Sequence, residues 1–100
     1  MSGSWTMSGA EAGASDYEFS DHARHELGRR GIDPGMVAQV LADPQQTFEV
    51  RKGRIVVQSK VRREGGIYLL RVVVDIDRPK RVIVTAYVTS KVEKYWRDAP

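Results

Sequence analysis

Arg71-Val72-Val73-Val74-Asp75-Ile76-Asp77-Arg78-Pro79-Lys80-Arg81-Val82-Ile83-Val84-Thr85-Ala86-Tyr87 reads as two buried strands joined by a tight turn. β-Branched residues dominate both arms, and Asp77-Arg78-Pro79-Lys80 supplies the turn chemistry between them. Arg71, Thr85 and Tyr87 interrupt the apolar pattern. A central hairpin is built from hydrophobic side chains, so polar and aromatic groups embedded in it call for a function.

Upstream of this hairpin the period stays at two. Thr47 to Arg51 forms a short strand and Lys52-Gly53 a turn. Arg54 to Arg63 forms a longer strand, closed by Glu64-Gly65-Gly66, and Ile67 to Ile76 and Arg81 to Val88 complete an antiparallel meander of four strands. Before Gln46 the period is helical. Ser20 is a good N-cap, Ala23 and Leu27 align with Phe19, and Gly31 is the left-handed stop after Arg29 and Arg30. Asp33-Pro34 opens a second helix carrying Met36, Val37, Val40 and Leu41, and Asp43-Pro44 ends it. After the meander, Ser90 and Glu93 form a capping box for a short last helix. The order predicts an α+β sandwich in which the helices cover one face of a four-stranded, mainly antiparallel sheet.

Alternation divides that sheet into two faces. Tyr68, Leu70, Val72, Val74 and Ile76, with Val82, Val84, Ala86 and Val88, meet the helices. Arg54, Gln58, Lys60, Arg62, Arg71, Ile83, Thr85 and Tyr87 point the other way and make a mixed, basic face. A single bulge exchanges part of this assignment.

Residues 1–16 are small, polar and rich in Gly, Ser and Ala, and are expected to be a flexible tail ahead of one domain over residues 17–100. The tail holds two acids, Glu11 and Asp16, and no Lys or Arg. The rest therefore carries all 16 basic side chains against 11 acidic ones, which suits a polyanionic partner such as nucleic acid, or an acidic protein, and equally suits ordinary solubility charge. The chain has no cysteine, so disulfides and thiolate metal sites are excluded. No apolar run is long enough to span a bilayer, and the expected location is the cytoplasm.

Several residues suit chemistry on a phosphodiester. His22 lies in the first turn of the first helix, a position that suits a neutral general base. His25 follows one turn later; the pair alone does not make a metal site, and both also suit simple packing at the helix–sheet edge. Arg54, Arg71, Lys91, Lys94 and Arg97 suit a phosphate surface, with Tyr87, Tyr95 and Trp96 for stacking. In metal-independent RNA cleavage His22 would serve as base, Arg54 or Arg71 would stabilise the phosphorane, and Tyr87 would act as acid. No glycine-rich phosphate loop, carboxylate cluster or nucleophile elbow is present, and no cofactor is expected.

Phe19-Ser20-Asp21-His22-Ala23-Arg24, Arg30-Gly31-Ile32, Val37 through Leu41, Asp43-Pro44, Gly53-Arg54, Leu70 to Val74, Val84-Thr85-Ala86-Tyr87 and Lys94-Tyr95-Trp96 occur in an order that resembles the DUF4258 family. The resemblance runs from about Tyr17 to Arg97. That family is similar in layout to RelE/ParE and BrnT toxins of bacterial toxin–antitoxin systems, among which RelE and BrnT members cleave RNA and ParE members poison gyrase. The resemblance implies a toxin acting on mRNA or translation, held by a cognate antitoxin. By motif position it marks His22, Arg24, Arg30, Arg54, Arg71, Thr85 and Tyr87. The other reading of the same residues is a non-catalytic module that binds nucleic acid or protein through the basic sheet face.

Overall fold

The computed structural model describes residues Tyr17–Arg97, so the expected tail over residues 1–16 lies outside the described residues. The chain runs β1 Tyr17–Phe19, α1 Asp21–Arg30, α2 Pro34–Ala42, β2 Gln46–Arg51, β3 Arg54–Arg63, β4 Gly66–Asp75, β5 Arg81–Thr89 and α3 Val92–Tyr95. No helix among them is long and apolar enough to cross a membrane.

The local signals act as read. Ser20 Oγ accepts from the Ala23 amide at 3.0 Å, and Gly31 closes α1 in the left-handed region at φ 67°. Asp33 caps α2 with Pro34 in its first turn. Between β3 and β4, Glu64 and Gly65 both have positive φ and make the two-residue turn that suits a twisted hairpin.

The sheet corrects the expectation of four antiparallel strands. Among the described residues it has five, in the order β1-β5-β4-β3-β2, and β1 pairs with β5 in parallel. Three residues are too short to show a period of two, so Tyr17–Phe19 carried no strand signal; its pairing partner is more than sixty residues away.

A second correction follows from a bulge. Val73 faces Thr85 and Val74 faces Ile83, so Val84 is the extra residue of β5. Ile83 is thereby turned toward the helices and is fully buried, whereas the alternation had put it on the opposite face with Val82 toward the core. Thr85 and Tyr87 stay on the outer face, because they lie on the far side of the bulge.

The main core forms where α1 and α2 cover the sheet. Ala23, Leu27, Val37, Val40 and Leu41 pack on Val57, Leu70, Val72, Val74, Ile83 and Ala86. Each such Val or Leu side chain is worth about 1.5–3 kcal/mol when fully buried.

The third correction concerns the last helix, which does not join the other two. The chain turns over the opposite face of the sheet, where Gln58 Nε2 donates to the Tyr95 carbonyl at 3.1 Å and Lys60 lies over the Trp96 ring. The expected Ser90–Glu93 capping box does not form either. Lys91 is the N-cap residue and α3 has no side-chain cap. Thr89 Oγ1 instead accepts from the Lys91 amide, so the hydroxyl that orders this turn comes from the end of β5.

Candidate nucleic acid interface

Arg71 stands in the middle of β4 on the face away from α1 and α2, between Gln58 of β3 and Tyr87 of β5. The three side chains bond in a row across the strands. Arg71 Nε donates to Gln58 Oε1 at 2.9 Å, and Arg71 Nη1 donates to the Tyr87 hydroxyl. The row continues into β2, where Gln58 Nε2 donates to Gln46 Oε1 at 2.7 Å. Gln46 then binds the backbone of Arg97 at both its N–H and its carbonyl. Gln58 is fully buried, and its three bonds satisfy an amide that would otherwise be costly there.

Aromatic rings enclose the same arginine. Its guanidinium carbon lies 4.1 Å from the Tyr95 ring centroid, 5.7 Å from that of Tyr87 and 6.0 Å from that of Phe48. Tyr87 and Tyr95 meet edge to face. Neighbouring cations follow the same rule. Lys60 is 4.2 Å above Trp96, Arg97 is 3.7 Å above Phe48, and Lys94 is 5.4 Å from Tyr95. Among the described residues none of these four cations has a carboxylate within ion-pair distance.

Of the residues singled out in the sequence, Arg71, Tyr87 and Thr85 are together, with Lys94 reaching them through Tyr95. Lys91 is exposed just before α3. Arg54 shares the face but lies four residues along β3 from Gln58, about 13 Å away. There it is held by Asp75, with Nε to Oδ1 at 2.7 Å and Nη2 to Oδ2 at 3.2 Å. The bidentate bond to Arg54 outweighs burial and keeps the Asp75 carboxyl below its ordinary range.

His22, Arg24 and Arg30 belong to the other side. His22 is exposed on α1, and the sheet separates it from Tyr87, whose neighbour Ala86 packs against that helix. Arg24 is exposed beside Phe19. Arg30 donates to the Ala86 carbonyl at 2.8 Å and pairs with Glu26. Arg29 bonds Glu26 as well, and the two guanidiniums lower the Glu26 carboxyl despite its burial.

Gln46 and Phe48 join the cluster without having been singled out. Their spacing of two places both on one side of β2, but only the register with Gln58 and Val56 reveals which side.

No curated protein and no solved structure matches the chain significantly. A family model described as Domain of unknown function (DUF4258) matches residues 19–88, from the end of β1 to the end of β5 and short of α3. Most of the described sheet and both large helices thus carry the family pattern, and the chain belongs to the DUF4258 family.

Proposed function

We propose that the protein binds single-stranded RNA across the sheet face centred on Arg71 and Tyr87. One observation carries this reading. Lys60, Arg71, Lys94 and Arg97 gather on that face over aromatic rings, with no carboxylate paired to any of them among the described residues. Cations next to π faces match the two repeating parts of a single strand, the phosphate and the base. The layout of two helices on one side of a meander supports kinship with RelE- and BrnT-like toxins, and a small acidic antitoxin would be complementary to the same face.

The Arg71–Tyr87 pair favours cleavage as a second step. The phenol oxygen accepts from Arg71, which leaves the Tyr87 O–H to donate to the leaving 5′ oxygen as the 2′-hydroxyl attacks phosphorus and loses its proton to solvent, while Arg71 faces the charged phosphorane. His22 lies across the sheet and takes no part in this arrangement.

Anisotropy of a fluorescein-labelled single-stranded RNA at rising salt tests the binding. Affinity is expected to fall with salt and to drop further in Arg71→Ala. Tight binding that ignores salt, or no binding, overturns the proposal. A denaturing gel run with chelator present, together with growth on expression, separates the two modes. Cleavage and arrest that disappear in Tyr87→Phe identify a toxin, whereas intact RNA and normal growth identify a binding module.

A further inference from the structure

The strands β3 and β4 outrun their neighbours. β2 pairs with β3 only as far as Gln58, and β5 pairs with β4 only as far as Leu69. Beyond them Val61–Arg63 and Gly66–Tyr68 pair, among the described residues, with each other alone, as a two-stranded ribbon. Arg62 on this ribbon and Lys60 just before it are two residues apart on the outer face of β3, about 6.7 Å, which is comparable to the step between successive phosphates of one strand.

At the base of the ribbon is a recess of about 270 Å³ lined by Lys60, Val92, Glu93 and Trp96. Its charges are divided. Lys60 supplies the ammonium, Trp96 the flat apolar wall and Glu93 a carboxylate that has no ion-pair partner among the described residues. A phosphate is repelled by Glu93 and drawn to Lys60. A base edge that donates hydrogen bonds is drawn to Glu93. These charges suit a nucleotide with its phosphate toward the ribbon and its base inside.

Resting on the RNA-binding reading above, we infer that this recess is a guanine subsite of the strand whose phosphates follow Lys60 and Arg62. Guanine presents two adjacent donors, the N1–H and the exocyclic amine, to match the two oxygens of one carboxylate. Uracil has a single imino donor flanked by carbonyl oxygens that Glu93 repels. Adenine and cytosine each present one amine beside a ring-nitrogen acceptor. The purine ring stacks on Trp96, and the flexible Lys60 stem lets its ammonium leave the indole for the phosphate. Val92, Glu93 and Trp96 lie past the stretch that the family model matches.

The test uses the Trp5→Phe protein, so that Trp96 is the only indole, titrated with UUUGUUU, UUUIUUU (inosine lacks the exocyclic amine) and UUUUUUU. The expected result is quenching of indole emission by the guanine heptamer, bound about tenfold tighter than the all-uracil one, with inosine between them. Glu93→Ala is expected to erase that preference without weakening the all-uracil heptamer. Lys60→Ala and Arg62→Ala each lower the salt slope by about 0.7 for all three strands. Near-UV circular dichroism checks that each variant keeps its fold. Equal affinities with silent indole emission, while Arg71→Ala still weakens binding, overturn the guanine subsite and leave the RNA face standing. Failure of all three heptamers to bind overturns both.

Discussion

Asp75 and Arg54 show what a single carboxylate contributes here. Both are partly buried and joined by two hydrogen bonds, a geometry better than that of an ordinary surface pair. The folded-state pKa of Asp75 is depressed, so its stabilisation is present above the unfolded value of about 3.9 and is lost as pH falls through the lower folded value. Asp75→Asn is expected to cost about 1 kcal/mol at neutral pH. Urea midpoints of wild type and variant should converge as pH drops below about 4, and a gap that persists in acid contradicts the assignment. Arg71 differs in kind. Its partners among the described residues are an amide, a phenol and three rings, none of which neutralises its charge. The sequence pointed to Arg71 and Tyr87 because they broke an apolar pattern. Gln58 and Gln46 broke none, and their part in the row depends on cross-strand register alone.

At the scale of elements, α1 is tied to the sheet through its first residue. Ser20 Oγ accepts from the Ala23 amide and donates to the Val84 carbonyl, and the Ser20 amide donates to the Ile83 carbonyl. The cap of α1 therefore sits on the bulge of β5. Ser20→Ala removes both side-chain bonds and is expected to cost about 1–2 kcal/mol, lowering Tm by roughly 5–10 °C. Asp in its place restores the cap but has no proton for Val84, so it should recover only part of the loss. Calorimetry of the three proteins measures this; full recovery with Asp would remove any role for the bond to β5. Ser20, Gly31 and Asp33-Pro34 were legible because a cap acts within four residues of itself. The bulge at Val84 was not legible, since it exists only relative to β4.

At the scale of the whole molecule, the described residues form two unequal layers against one sheet. The larger, α1 and α2, builds the main core. The smaller is the segment from Ser90 to Arg97, held over the other face by Gln46, Gln58, Lys60 and Arg71. Ending the chain at Thr89 should leave the main core folded but strip the Tyr95 carbonyl from buried Gln58 and the Tyr95 ring from Arg71. A loss of about 2 kcal/mol or more is expected, read from denaturant unfolding, together with faster amide exchange in β3 and β4. An unchanged midpoint would mean that the segment adds nothing to the sheet. The sequence by itself determined the order of the two large helices and four long strands, their caps and turns, and the apolar face of β4. Those follow from backbone preferences and periodicity along contiguous residues. The short parallel strand β1, the inward turn of Ile83, the side taken by α3 and the clustering of Arg71 with Phe48, Tyr87 and Tyr95 were decided by tertiary structure. Each depends on pairing or packing between residues far apart in the chain, where no local period records the outcome.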